Sequence, residues 1–129
     1  MGQRSHATGP DAAPRFEGFV AGTATPVPDQ LFDELLPVLG LAELRVLLFL
    51  IRCTFGSRRP TAEISLRQMM EGIHDAEGFP LAPGVGLSKA TVCRALAGLR
   101  RRQVILAERR RSAEQGNEPT VYRLNMGFF

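Results

Sequence analysis

Apolar residues recur at helical spacing in four stretches of this chain, and each spacing predicts an amphipathic helix. In residues 29–39 they are Leu31, Phe32, Leu35, Leu36 and Leu39, with Asp29, Asp33 and Glu34 toward the front, where the helix dipole favours acids. Pro37 and Gly40 mark the end. Residues 41–55 are the most apolar: Leu44, Leu47, Leu48 and Ile51 form a stripe, and Val46, Phe49 and Leu50 fill much of the remainder. Apolarity on so many sides predicts burial in the middle of the fold. Gly56 to Pro60 breaks that helix, and Glu63-Ile64 reads as a short strand. Ser65-Leu66-Arg67-Gln68 then has a hydroxyl followed three residues later by Gln, a capping box that opens a short helix to Ile73. Its apolar face is Leu66, Met69, Met70 and Ile73, and a methionine pair on such a face reads as core filler.

The fourth stretch, residues 87–104, has two different faces. With Val92 as reference and about 100° per residue, Ala95, Leu96 and Leu99 fall on its side, while Ala90, Arg94, Ala97 and Arg101 fall opposite. Ser88 is placed to cap the helix by accepting from a free N–H of the first turn. A solvated helix usually mixes acids and bases on its outer face, yet residues 88–103 contain no carboxylate. That absence points to an anionic partner. Val104-Ile105-Leu106-Ala107-Glu108 and Thr120-Val121-Tyr122-Arg123-Leu124 follow as strands joined by an Arg-rich polar stretch.

An amphipathic helix running into a hairpin with a basic tip is the second half of a winged helix-turn-helix. The expected fold is therefore mainly α with a small β-hairpin, in the α+β class, its helices packed on a short three-stranded sheet. Residues 74–86, with Gly78, Pro80, Pro83, Gly84 and Gly86, are predicted to form a loop that enlarges the turn between the two helices of the motif. Residues 1–25 read as a flexible N-terminal arm, 26–125 as one DNA-binding domain and 126–129 as a C-terminal tail. Phe16 and Phe19 of the arm are expected to lie on the domain surface or to dock on a second subunit.

Charge sharpens this picture. The chain of 129 residues has a net charge of +3, but residues 88–124 carry nine basic and three acidic side chains, so the remainder is negative. Segregated positive charge is the footprint of a phosphate-backbone binder. Fifteen of the sixteen cations are Arg, which forks onto phosphate and guanine edges better than Lys does. A genome biased toward Arg codons accounts for the preference equally well, but not for the segregation. Length suits one domain with a real core. Cys53 and Cys93 lie at no zinc-finger spacing and are predicted to be small buried residues, as in a reducing cytoplasm. No apolar run approaches the ~20 residues needed to span a bilayer, so the expected location is cytoplasmic, without membrane association.

Other chemistry finds little support. His74, Asp75 and Glu77 have nothing nearby to complete a metal or acid/base site, and no nucleophile–base set or paired carboxylates are visible. The expectation is no enzyme activity, no metal and no cofactor. Residues 83–91 resemble a phosphate-binding loop only at Lys89, because the positions that motif needs as Gly, Gly and a hydroxyl residue hold Pro83, Ser88 and Ala90.

Three runs carry a family resemblance. They are Leu41-Ala-Glu-Leu-Arg-Val-Leu-Leu-Phe-Leu-Ile-Arg-Cys-Thr-Phe-Gly56, then Ile64-Ser-Leu-Arg-Gln68, then Leu87-Ser-Lys-Ala-Thr-Val92. In that order they resemble the N-terminal winged-helix domain of phage replication protein O and related primosomal, DnaD-like initiators, over about residues 26–125. The resemblance implies binding of double-stranded DNA at a replication origin. It also implies recruitment of replication machinery through a further C-terminal region, which is expected to be absent from this chain.

On the winged-helix reading, Ser88, Lys89, Ala90, Thr91 and Arg94 are nearest to base edges in the major groove, and Arg94 is the candidate for bidentate contact with guanine. Arg101 is expected on phosphate. Arg109, Arg110 and Arg111 at the hairpin tip are expected on phosphates or in the adjacent minor groove, and Ser65, Arg67 and Gln68 on backbone. Arg100 and Arg102 flank the core face and read as structural. A transcriptional regulator binding an operator as a homodimer is the alternative, and a purely protein-binding winged helix, using Phe16, Phe19 and the apolar tail, is a third reading.

Overall fold

A computed structural model describes residues 15–109 and 119–127. Their order is a helical turn at Leu31–Leu35, α1 at Leu41–Thr54 with a 3₁₀ turn at Phe55–Ser57, β1 at Ala62–Ile64, α2 at Leu66–Glu71, β2 at Gly72–His74, β3 at Pro80–Pro83, α3 at Lys89–Arg101, β4 at Ile105–Arg109 and β5 at Thr120–Leu124. The expected α+β class and three-stranded sheet are present. That sheet is antiparallel in the order β1-β5-β4, with Tyr122 opposite both Ala62 and Ala107. The core lies between the helices and this sheet. Val46, Leu47, Leu50 and Ile51 of α1 meet Val92, Ala95 and Leu99 of α3, while Met69 of α2 and Ile64, Ile105, Tyr122 and Leu124 of the sheet complete it. Thr54 is buried among them without an unsatisfied donor, since its hydroxyl donates to Leu50 O at 2.8 Å.

Local signals explain most boundaries. The Ser65 box closes in both directions: Gln68 N donates to Ser65 Oγ at 3.1 Å and Ser65 N donates to Gln68 Oε1 at 3.0 Å. Helix α3 begins after Ser88, whose Oγ accepts from Thr91 N at 3.2 Å. It stops at Arg101, short of the predicted Val104. The stop is a Schellman turn in which Val104 N reaches Leu99 O and Gln103 N reaches Arg100 O, both at 2.9 Å. Gln103 takes the left-handed conformation, φ 62°, that glycine usually supplies there, and its carbonyl is held by Asn125 Nδ2 at 2.8 Å.

Three expectations need correction. The short helix does not reach Ile73 and residues 74–86 are not all loop, because β2 takes Gly72–His74 and pairs with β3 as an antiparallel hairpin. Its turn is organised by Asp75, whose Oδ1 accepts from Glu77 N at 3.0 Å and Phe79 N at 2.9 Å. Prolines at both ends of β3 concealed the strand, since proline cannot donate to a ladder and is confined to edges. Gly84 closes the hairpin onto α2 where a Cβ would strike Met70 O. Secondly, residues 29–39 do not form a regular α-helix. Leu36 N bonds five residues back, to Leu31 O at 2.8 Å, just before Pro37, whose ring crowds the preceding turn and whose nitrogen cannot donate. Leu31 is buried there, but Phe32 and Leu36 are exposed. Thirdly, Cys93 is exposed rather than buried, and Cys53 is half-buried.

Where α1 crosses α3, Glu43 joins three groups. Its Oε1 accepts from Gly40 N at 2.9 Å, its Oε2 lies 3.5 Å from Arg102 Nε, and the same oxygen occupies the space that a side chain on Gly98 would fill. Gly98→Ala is therefore expected to lower the unfolding free energy by about 1–2 kcal/mol, the scale of a lost cap and ion pair. In a Glu43→Ala background the same change is expected to be neutral or to stabilise by about 0.5–1 kcal/mol, because the helix gains an alanine without a clash. Urea unfolding of the four proteins measures the coupling, and an equal cost in both backgrounds would contradict the contact.

Candidate nucleic-acid interface

Helix α3 separates its side chains as its sequence periodicity requires. Val92, Ala95, Leu96, Gly98 and Leu99 are buried, and Lys89, Ala90, Cys93, Arg94, Ala97, Arg100 and Arg101 are exposed. The outer face thus has small residues in its middle and cations along it, with no acid on the helix itself. Arg94 and Arg101 are two turns apart, about 10 Å along the axis at 1.5 Å per residue. At the front, Ser88 Oγ and Thr91 Oγ1 are 3.0 Å apart, and Arg94 Nη2 is 3.4 Å from Thr91 Oγ1. The capping hydroxyl, the threonine and the guanidinium therefore form one polar line at the helix N-terminus, where the dipole already favours negative charge.

The expected residues separate into groups. Ser88, Lys89, Ala90, Thr91, Arg94 and Arg101 share α3, and all but Thr91 among them are exposed. Arg109 ends β4 directly opposite Thr120, and it is exposed. Arg110 and Arg111 lie outside the described residues. At α2, Ser65 and Gln68 are engaged with one another in the cap, leaving only their remaining donors for another partner. Arg67 pairs with Glu71 at 3.2 Å, but both side chains are mostly exposed, and such a pair holds the guanidinium weakly.

Sequence reasoning missed two positions on this face. Free cysteines are usually buried, but Cys93 is exposed, and its angle on the helix, about 100° from Val92, puts it on the flank. Arg100 was assigned to structure beside Arg102. Arg102 does have that role, through Glu43 and a 3.4 Å contact with Val38 O, although it too is exposed, whereas Arg100 borders a shallow, largely open cleft. Ala97, Arg101, Gln103 and β4 residues Ile105 to Ala107 line the rest of that cleft. It runs between the outer face of α3 and the start of β4.

Tyr122 links this face to the core. Burial pushes its phenol above the ordinary value near 10, while a hydrogen bond with the Thr120 side chain and the charges of Arg100 and Arg109 draw it partly back. Cys53 is likewise raised by burial, with Arg52 opposing.

No match to this chain was found among protein-family models, curated proteins or solved structures. Among the described residues, no helix is long and apolar enough to cross a membrane.

Tyr122 is the sole tyrosine, so its ionisation can be read directly. Absorbance near 295 nm is expected to titrate above pH 10 in the folded chain and near 10 in urea. The folded state keeps the proton where the unfolded state loses it. Its contribution to stability is complete below pH 10 and falls away as pH rises through the raised value. Titration at the unfolded value in the folded chain would contradict the burial.

Proposed function

We propose that this chain is a winged-helix module that binds double-stranded DNA sequence-specifically, with α3 in the major groove, at a replication origin in the manner of primosomal initiators. The observation that carries the reading is the outer face of α3: exposed, cationic, free of carboxylates and opened by a serine cap. A major groove about 12 Å wide admits one helix, and the small Ala90 and Ala97 let the backbone approach while Lys89 and Arg94 reach base edges. The order α1-β1-α2-α3-β4-β5, with β1 paired to β5, supports the winged-helix assignment. The β2–β3 hairpin is then an insertion in the turn of the motif. Arg101, Arg100 and Arg109 would supply phosphate contacts beside the cleft. The resemblance of residues 41–56, 64–68 and 87–92 to phage replication initiators supports an origin as the target. An operator-binding regulator uses the same face, and the genomic position of the bound site separates the two.

The test is a selection from random duplexes at low and moderate salt, followed by binding of the enriched site to variants. Arg94→Ala is expected to cost about 1–3 kcal/mol of discrimination while leaving nonspecific affinity. Arg101→Ala is expected to weaken all duplexes alike and to reduce the salt slope by about 1. Equal, sequence-independent losses would overturn the assignment of Arg94, and absence of binding at low salt would overturn the function.

A further inference from the structure

Polar groups from α3, β4 and β5 meet at one point beside the sheet. Side chains alternate along a strand, so Arg109 and Ala107 of β4 share the face of the buried Ile105, which is turned to the helices. Arg109 is in register with Thr120, and Ala107 with Tyr122, so both hydroxyl residues of β5 belong to that same face. From the other side, Arg100 of α3 lines the cleft together with Ala107. Cys93 and Arg100 are seven positions apart, about 20° around the helix at 100° per residue, and form one flank. Burial raises the Tyr122 phenol, the Thr120 side chain hydrogen-bonds to it, and Arg100, Arg109 and Cys93 are all near enough for their charges to act on it. The flank of Cys93 and Arg100 is therefore the one turned to Tyr122, and guanidinium groups from two elements lie around one pair of hydroxyls.

Arg100 and Arg109 are both exposed, and among the described residues neither forms an ion pair. Two uncompensated cations turned to one spot call for an anion between them. We infer that Arg100 and Arg109 grip one and the same phosphate group, at the root of the β4–β5 hairpin beside the Thr120 hydroxyl. This rests on the nucleic-acid reading only in taking that group to be a backbone phosphate of the duplex bound by α3. The chemistry of the donors selects phosphate. Its tetrahedral oxygens can serve two forked guanidinium groups and a hydroxyl at once, whereas the two oxygens of a carboxylate are filled by a single bidentate arginine. A phosphate shared between helix and hairpin also fixes the register of the DNA strand against both elements, as contacts to the backbone do.

The experiment uses the full chain and has two arms. In the first, without DNA, the ionisation of Tyr122 is followed by its phenolate absorbance in inorganic phosphate and in chloride at equal ionic strength. A bound phosphate offsets the arginine charges that favour the phenolate, so the phenol is expected to titrate higher in phosphate than in chloride. In Arg100→Ala and in Arg109→Ala it is expected to titrate higher than in the unsubstituted chain already in chloride, and to be indifferent to phosphate. In the second arm, duplex binding is measured across a range of salt. Replacing both arginines by alanine is expected to reduce the steepness of log K against log salt by about 0.9, the value for one phosphate, where two separate phosphates would give about 1.8. Equal titration of the unsubstituted chain in phosphate and in chloride would overturn the site, whether or not DNA binds. A loss of about 1.8 in the slope would overturn the sharing. A phosphate response in a chain that binds no duplex would uphold the site and overturn the nucleic-acid reading instead.

Discussion

The packing of α1 on α3, Val46, Leu47, Leu50 and Ile51 with Val92, Ala95 and Leu99, is the constraint on which the rest depends. The absence of a side chain on Gly98 leaves room for the Glu43 carboxylate against the inner face of α3, where it also holds the start of α1 and meets Arg102. This contact adds to the apolar packing that sets how α3 rests on α1. With Val92, Ala95 and Leu99 turned into the core, Lys89, Arg94 and Arg101 have no direction left but outward. Positioning of the basic face is thus a packing result, and the Glu43 carboxylate lies against the buried side of the helix at Gly98.

The ends of α3 are held as firmly as its middle. Ser88 and Thr91 define the first turn, and the Schellman turn at Gln103 defines the last, with Asn125 tying that turn to the end of β5. Tyr122, in the central strand of the sheet, is near enough to Arg100 and Arg109 for their charges to act on its phenol. Helix α3, β4 and β5 are therefore tied to one another among the described residues. A rigid presentation suits recognition of DNA, because side chains that are ordered beforehand lose less freedom on binding.

Much of this was legible in the sequence where two signals agreed. The capping box at Ser65 and Gln68, the Ser88 cap and the two faces of α3 each combined periodicity with a terminal residue of suitable chemistry, and the structure has all three. The strands after α3 were legible from alternation and β-branched residues. Illegible features were those where one residue overrode a pattern. Pro37 sits after an irregular helical turn in a stretch with helical spacing, and Pro80 and Pro83 concealed a hairpin that depends on Asp75 and Gly84. For Cys93 the residue type points inward while its helical angle points to the flank, and the angle decides. Nothing local in the sequence marked Gly98 as a contact for Glu43, because the two are distant in the chain.

Cys93 offers the most direct view of the central claim. It lies on the exposed flank of α3 with Lys89 and Arg100, beside the outer face, while Cys53 lies half-buried on α1. The measurement is the rate at which a small thiol reagent modifies each cysteine, with and without a selected duplex. DNA in contact with α3 is expected to slow modification of Cys93 strongly and to leave Cys53 unchanged. Unchanged reactivity of Cys93 in a saturated complex would contradict the account, because the bound DNA would then lie on some other surface.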